Sequence, residues 1–175
     1  YRDGLVDLGC DPKKQGKAKL TIKKDARGIV YVDGQVVQEA DNAIGLLRLL
    51  DKGIANRHTA STKMNSESSR SHLVSSIIIE NTNLKTNVTS CGKLTLVDLA
   101  GSERVGKTGA SGEVLKEAQA INKSLWALQE VISALTRRAE HVPYRNHTLT
   151  QLMADSIGGN AKTLMFVCVS PADYN

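Results

Sequence analysis

The sequence predicts an α/β fold in which a mixed central sheet is flanked by helices. Short β-rich runs alternate along the chain with two long segments of helical periodicity, an order typical of a parallel or mixed sheet covered by helices. Hydrophobic residues make up 41% of the 175 positions, enough to bury one sizeable core. No repeat, linker or low-complexity tract divides the chain. We therefore expect one domain over residues 1–175.

The first elements are predicted to be a hairpin and a helix. Residues 19–24 and 28–33 have the composition of short strands, and the Asp-Ala-Arg-Gly sequence between them is typical of a hairpin turn. Asp41 is a suitable N-cap for a helix that runs to about Arg57. Four apolar residues of this segment have helical spacing, namely Ile44, Leu47, Leu50 and Ile54.

The rest of the chain predicts three more strands and two more helices. Strands are expected at 73–80, 93–98 and 163–170, and the last is nearly all apolar, as in a strand buried on both faces. The longest helix is expected at 113–138, and residues 151–156 are expected to be the end of a short helix that Gly158 and Gly159 stop. The apolar residues of the long helix form one face: Ala118, Ile121, Leu125, Leu128, Ile132 and Leu135.

Composition argues against a membrane protein and against a disulfide-stabilised one. The longest apolar run, residues 164–169, is far shorter than the ~20 residues of a membrane span. The first residues lack the pattern of a signal peptide. The three cysteines are widely spaced and suit a reducing compartment. We expect a soluble, intracellular protein.

Positive charge is concentrated in residues 12–27, here called the basic segment. It holds seven lysines and arginines but one aspartate, whereas the whole chain has a net charge of +5. The basic segment is either the solvated face of a hairpin or a docking surface for an acidic partner, with salt-dependent association. Nucleic acid is a weaker candidate, because no aromatic side chains interleave with the basic ones for base stacking.

Two short motifs carry the chemistry. The serine-rich segment, residues 65–72, reads Asn-Ser-Glu-Ser-Ser-Arg-Ser-His, and the DLAGSE segment, residues 98–103, follows an apolar strand. A nucleoside triphosphatase needs such hydroxyl, carboxylate and backbone N–H groups around magnesium and the γ-phosphate. Taken singly, the serines fit a capping or turn cluster, and Arg70 with Glu103 fits an ordinary ion pair. The two motifs in this order favour a phosphate-sensing site.

Residues 101–108 also match a phosphate-binding loop, G-x-x-x-x-G-K-T. Such a loop needs a helix that begins at the Lys-Thr pair, so that its N-terminal N–H groups meet the phosphates. Glycines at positions 109 and 112 delay the next helix here. We therefore interpret the match at Lys107 as coincidental, and an independent phosphate-loop enzyme stays an alternative.

Essentially the whole chain resembles the C-terminal half of a kinesin motor domain. The signatures that carry this resemblance are the motifs at residues 56–58, 65–72, 98–103, 121–125, 142–146, 155–160 and 170–171. The residues of these motifs are most similar to those of the C-terminal, minus-end-directed, calmodulin-regulated kinesins. The resemblance implies a kinesin-type P-loop NTPase fold, with the two switch regions and the microtubule-binding helix in this chain. The phosphate loop would lie upstream of residue 1.

Carried over by position, the resemblance implies a set of residues that hold ATP and Mg²⁺. Ser69 would reach magnesium through its hydroxyl, and Asp98 would hold a magnesium-bound water. Gly101 would donate its backbone N–H to the γ-phosphate, an approach that the missing side chain permits. Arg70 and Glu103 would form a bridge that closes the site around the attacking water. The further nucleotide-binding residues would be Arg57, Asn65 and Ser68.

The same resemblance implies that the long helix and the loop after it bind microtubules. The candidate cations for acidic tubulin are Lys107, Lys123, Arg137, Arg138, His141 and Arg145. The basic segment would form a second tubulin contact. Thr148 stands where the family usually has a lysine, and two outcomes are open: the loss weakens tubulin binding, or His147 and the hairpin lysines balance it. Trp126 is expected to be packed or half-exposed.

These implications define the expected function and its alternatives. The intact protein would be an ATP-dependent microtubule motor on the cytoplasmic cytoskeleton, and calmodulin would act only through segments outside this chain. Without the phosphate loop, the chain alone is expected neither to hydrolyse ATP nor to walk. The alternative from a different class is a non-catalytic tubulin-binding module. Neither a nucleic acid nor a membrane partner is expected.

Overall fold

The computed structural model describes residues 4–11, 13, 18–62, 70–102 and 112–169. Strands and helices alternate in this part, as expected of an α/β chain. The elements are β1 (Thr21–Lys24), β2 (Val30–Asp33), α1 (Ala43–Thr62), β3 (Leu73–Asn83), β4 (Val88–Asp98), α2 (Gly112–Thr136), a 3₁₀ turn (Tyr144–Asn146) and α3 (Thr148–Leu152). No helix among these residues is both long and apolar enough to cross a membrane.

The predicted N-terminal hairpin is confirmed. Strands β1 and β2 pair in antiparallel register from Thr21↔Asp33 to Lys24↔Val30. The Asp25 carboxylate closes the turn, because its Oδ1 accepts from the N–H groups of Arg27 at 2.9 Å and Ile29 at 2.8 Å. Gly28 has φ +84°, a backbone conformation that favours glycine.

Helix α1 is confirmed, with corrected ends. Its N-cap is Asn42 and not Asp41, since the Asn42 Oδ1 accepts from the Gly45 N–H at 2.8 Å. The helix continues past Arg57 to Thr62. Its apolar spacing predicted the helix correctly but not its burial, because Ile44 is 64% exposed in the described structure.

Strands β3 and β4 form a long antiparallel hairpin. Both extend beyond the predicted ranges, with register from Leu73↔Asp98 to Asn83↔Val88. This hairpin and the β1–β2 hairpin are separate two-stranded sheets, so the described strands do not join in one mixed sheet. The register brings the end of the serine-rich segment beside the start of the DLAGSE segment.

The predicted strand at 163–170 is wrong for residues 163–169, which have no strand pairing. Their apolar side chains are exposed: Leu164 is 78% exposed, Phe166 82% and Val169 82%. A strand buried on both faces needs neighbours for its N–H and C=O groups and a layer on each face. The described part of the chain supplies neither beside this segment.

The core lies between α2 and α3. The predicted range of α2 is confirmed to within a few residues, and Ile121 and Leu128 of the predicted face are buried. The centre of the buried stripe is rotated relative to the prediction, because Ser124 and Val131 are buried at 2% and 0% exposure. Leu149 and Met153 on and after α3 complete this core.

The short C-terminal helix, Thr148–Leu152, ends earlier than the predicted end at 151–156, which extends to Ser156. His147 is its N-cap, and the ring Nδ1 accepts from the Leu149 N–H at 3.1 Å. Gly158 has φ +94°, and a Cβ there would lie 2.8 Å from Tyr144 Oη. The predicted glycine stop therefore marks the turn after the helix and not the helix end itself.

A buried ion pair joins three parts of the chain. Lys93 Nζ on β4 lies 2.8 Å from Asp155 Oδ2, and their side chains are 10% and 12% exposed. Asp155 Oδ2 also accepts from the Val30 N–H at 2.8 Å. Burial raises the pKa of the Asp155 carboxyl, but hydrogen bonds from Lys93, Val30 and Ser156 outweigh burial, so that its pKa lies below the ordinary value.

Candidate functional site

Arg57 connects the two motifs. Its Nη1 donates to Asp98 Oδ2 at 2.6 Å, and its Nη2 donates to the Ser71 carbonyl oxygen, also at 2.6 Å. Its Nε reaches Ser71 Oγ at 3.3 Å. The Arg57 side chain is 11% exposed, whereas that of Asp98 is 66% exposed. A nearly buried guanidinium from α1 therefore holds a solvent-facing carboxylate at the end of β4.

His72 is a functional candidate to which the sequence assigned no role. The ring Nδ1 accepts from the Ala100 N–H at 3.0 Å, and Nε2 lies 2.6 Å from Ser124 Oγ on α2. Burial, together with the nearby His147 and Arg57, lowers the pKa of His72 to about 4. The only sequence signals were its place at the end of the serine-rich segment and a serine on the apolar face of α2.

Part of the predicted phosphate site lies in the described structure. Gly101 directly follows the buried Ala100, and Arg70 is half-buried at the start of the segment that leads into β3. The predicted bridge between Arg70 and Glu103 stays a prediction. The predicted site residues outside the described residues are Asn65, Ser68, Ser69, Glu103 and Lys107.

The chemistry of Asp98 fits a magnesium site. Mg²⁺ prefers oxygen ligands, keeps several waters and is usually held by one or two carboxylates together with substrate phosphates. An exposed carboxylate at the end of a strand can meet a magnesium-bound water in this way. No cluster of three His, Cys, Asp or Glu side chains suited to a metal occurs in the described ranges.

The predicted microtubule-binding cations that the structure describes lie on α2 and in the loop after it. Lys123 is exposed on α2, and His141 and Arg145 are exposed between α2 and α3. An open groove of about 560 Å³ runs between α2 and this loop. Six of the side chains that line the groove are Trp126, Gln129, Glu130, Ser133, Arg137 and His141. Trp126 is 74% exposed, more than the sequence predicted.

His147 cannot balance the missing lysine at position 148. It is 7% exposed, and its Nδ1 accepts a backbone hydrogen bond at the start of α3. A ring that is buried in this way does not reach the surface that a partner would contact. Balance of the missing lysine by His147 is therefore wrong.

The described cations of the basic segment are exposed but partly neutralised. Lys23 Nζ lies 2.7 Å from Asp33 Oδ2, and Arg27 Nε lies 3.0 Å from Asp25 Oδ2. Lys19 and Lys24 are exposed on the same hairpin. Exposed pairs of this kind are weak, so they contribute little to the stability of the hairpin.

The described strands and helices alternate as in an α/β protein, and the solved structures that align with the chain are motors of the P-loop NTPase fold. The family model described as kinesin motor domain matches residues 1–175. The chain is therefore a member of the kinesin motor domain family.

Two plant kinesins are similar to the chain over its whole length. Kinesin-like protein KIN-14I of Oryza sativa subsp. japonica is 57% identical over 175 residues, and KIN-14E of Arabidopsis thaliana is 54% identical. The kinesin heavy chain of Doryteuthis pealeii is 48% identical over 176 residues. The chain spans 14% of the length of each plant relative and 18% of the Doryteuthis pealeii heavy chain.

Solved kinesin motors share the fold. The structure of a fast kinesin aligns with a TM-score of 0.78 and 42% identity, covering 92% of this chain and 45% of the solved one. The C-terminal motor and motor homology domain of Kar3Vik1, fused to a synthetic heterodimeric coiled coil, aligns with a TM-score of 0.81 and 37% identity. That match covers 99% of this chain and 44% of the solved chain.

Proposed function

We propose that this chain supplies the γ-phosphate-sensing switches and the track-binding surface of an ATP-driven microtubule motor. The observation that carries the proposal is the register of β3 and β4, in which Leu73 pairs with Asp98. It brings the last residues of the serine-rich segment beside the start of the DLAGSE segment, at one end of a single hairpin. Residues that respond to one phosphate group need this proximity, because phosphoryl transfer depends mainly on positioning and electrostatics.

In the proposed site, the backbone and side chains of this chain bind and orient the triphosphate. The Gly101 N–H donates to the γ-phosphate, and Asn65 and Ser68 lie over the same group. Arg57 holds the Asp98 carboxylate in place through the 2.6 Å contact. Arg70 and Glu103 pair to exclude bulk water and orient the attacking one. When bound, Mg²⁺ neutralises charge on the phosphate oxygens, and Ser69 and Asp98 are the residues that would hold it.

The proposed track surface is the exposed side of α2 with the loop that follows it. Lys123, His141 and Arg145 are exposed there, and Lys107 is the proposed cation on the segment that precedes α2. The exposed Trp126 adds apolar area beside these charges. A surface of exposed cations around an apolar side chain suits an acidic protein partner such as tubulin. The basic segment is proposed as a second contact.

We further propose that residues 1–175 are the C-terminal portion of one motor domain. The chain covers 44–45% of the two solved motor chains, which supports a division of the catalytic machinery between this portion and another. The phosphate loop would then come from the other portion, and the isolated chain would be inactive. The intact protein would act on cytoplasmic microtubules, and any calmodulin control would act through other segments.

The test is microtubule co-sedimentation of the full-length protein with ADP or a non-hydrolysable ATP analogue, together with ATP turnover. We expect tighter sedimentation with the analogue and turnover that microtubules stimulate. Sedimentation that is indifferent to nucleotide, without turnover, would instead identify a tubulin-binding module. Turnover that Lys107→Ala abolishes, without any response to microtubules, would identify an independent phosphate-loop enzyme.

A further inference from the structure

The hydrogen bonds around His72 form one directional chain across three elements. Because the Ala100 N–H donates to Nδ1 at 3.0 Å, the neutral ring carries its proton on Nε2. Nε2–H must then donate to Ser124 Oγ, 2.6 Å away. The Ser124 hydroxyl donates in turn to the Ile121 carbonyl oxygen at 2.6 Å. Each group has one role, so the other tautomer would lose the bond to Ala100.

This chain of hydrogen bonds begins next to the proposed phosphate site and ends on the helix of the proposed microtubule-binding surface. Ala100 is 5% exposed and directly precedes Gly101, whose N–H is proposed to meet the γ-phosphate. Ser124 is 2% exposed on the inner face of α2, while Lys123 and Trp126 are exposed on the same helix. The side chain of His72 thus contacts both the backbone of the DLAGSE segment and the helix of the proposed track surface.

We propose that His72 is a positioning residue that couples the Ala100–Gly101 backbone to α2. The N–H groups of Ala100 and Gly101 flank one Cα atom, so a shift of one N–H displaces the other. A γ-phosphate that accepts a hydrogen bond from the Gly101 N–H therefore changes the hydrogen bond between the Ala100 N–H and the His72 ring. The ring transmits that change to Ser124, because packed interiors transmit displacement instead of absorbing it. The inference rests on the proposed function, which puts nucleotide at Gly101.

Substitution of His72 by Asn or by Gln tests the two ends of this chain of hydrogen bonds separately. His72→Asn keeps an acceptor near the position of Nδ1 but loses the donor to Ser124. His72→Gln keeps a donor near the position of Nε2 but loses the acceptor for Ala100. Ser124→Ala removes the hydroxyl and leaves the ring in place. The measurement is the ratio of ATP turnover with saturating microtubules to turnover without them, in the full-length protein.

We expect His72→Asn and Ser124→Ala each to lower this ratio by roughly fivefold, the lower end of typical coupling between sites. The double variant should lower it no further, because both changes break the same hydrogen bond. His72→Gln should lower the ratio as well, by breaking the other end. If a His72 variant fails to fold, Ser124→Ala decides, since it deletes a single oxygen atom.

Thr150→Val is the matched control for loss of a buried hydroxyl. Thr150 is fully buried, and its hydroxyl contacts the carbonyl oxygens of Tyr144 and His147, which belong to neither motif. It should lower thermal stability but keep the ratio within about twofold, as a purely structural hydroxyl would. A loss equal to that of Ser124→Ala would overturn the coupling role and indicate general destabilisation.

The two proposals fail in different ways. A wild-type protein without microtubule-stimulated turnover overturns the proposed function and this inference with it. If microtubules stimulate turnover of the wild-type protein but the ratio is unchanged in both His72→Asn and Ser124→Ala, this inference alone is overturned.

Discussion

Single residues decide how the two motifs meet. Arg57 and His72 both reach the start of the DLAGSE segment, the first through the Asp98 carboxylate and the second through the Ala100 N–H. One is a charged contact at the surface of the site, and the other is a neutral contact inside it. The sequence identified Arg57 through a motif, whereas His72 became a candidate only when its two partners were known.

Gly101→Ala should reduce ATP turnover of the full-length protein by roughly a hundredfold, the scale of losing one preorganised donor to a reacting phosphate. The added methyl group would keep the backbone N–H from approaching the phosphate. Gly92→Ala on β4 is the control, because a Cβ there meets nothing within 4 Å. Equal turnover of the two variants in a steady-state assay would contradict the role of Gly101.

The ring of His72 should make stability sensitive to acid. Its pKa is about 4 in the fold against an ordinary value of 6.5, so the unfolded chain takes up a proton that the folded chain refuses. Stability is therefore fully present above pH 6.5 and falls as the pH drops toward 4. Urea unfolding across this range should show a smaller fall for His72→Asn. Parallel curves for the two proteins would rule out His72 as the source.

At the scale of elements, the β1–β2 hairpin is held to the rest of the chain by polar contacts. Lys93 and Asp155 join β4 to the turn after α3, and Val30 of β2 shares the same carboxylate oxygen. Thr95 and Ser156 add a hydroxyl contact of 3.1 Å beside them. Periodicity could predict the strands here, but it could not predict which distant side chains would pair.

Asp155→Asn should destabilise the fold by about 3–5 kcal/mol, because it leaves the Lys93 ammonium buried without a counter-charge. Replacing both partners, as Lys93→Met with Asp155→Leu, should restore part of that loss. The control is Asp33→Asn, which breaks the exposed Lys23–Asp33 pair. It should lower the free energy of unfolding by less than about 1 kcal/mol. Chemical unfolding of the four proteins measures these differences, and an equal cost for Asp33 and Asp155 would contradict the argument.

The groove beside α2 predicts an aromatic contact with the track. Trp126→Ala should weaken microtubule affinity about tenfold, since exposed tryptophans are often dominant contacts at interfaces. Stability should hardly change, because the side chain is 74% exposed. Leu84→Ala is the control, as Leu84 is 90% exposed in the turn between β3 and β4. The measurement is co-sedimentation at several microtubule concentrations, and equal affinities of the two variants would exclude the contact.

At the scale of the whole molecule, the described structure leaves several apolar surfaces uncovered. Residues 164–169 are exposed, and so are the side chains of Ile78 and Ile79 on β3, Leu94 and Leu96 on β4 and Leu47 on α1. Exposed apolar surface on paired strands favours association with other chains. In the solved kinesin motors, more than half of the chain lies outside the matched part and is available to cover such surfaces.

The 175-residue chain on its own should therefore self-associate at micromolar concentration. Light scattering and binding of a hydrophobic dye should both fall when the exposed segment is made polar by Leu164→Ser with Phe166→Ser. Substitution of the already polar Lys162 by Ser is the control and should leave both signals unchanged. A monodisperse chain with no dye binding would contradict this prediction.

The sequence by itself determined the elements and the motifs. Helical periodicity, turn residues and strand composition depend on near neighbours, so they predicted the first hairpin, α1 and α2 closely. They predicted the two strands of the second hairpin only in part, and not that these strands pair with each other. The motifs at 65–72 and 98–103 indicated the family without any coordinates, because few chemistries need that order of residues. The exposed state of residues 163–169 was missed, since apolar composition does not reveal whether a covering layer is present.

Only the tertiary structure decided which distant residues meet. The contacts of His72 with Ala100 and Ser124, and of Lys93 with Asp155, join side chains far apart in the sequence. The buried position of His147 is of the same kind. Burial and pairing of this sort depend on how helices and hairpins pack, and local propensity carries no information about that packing.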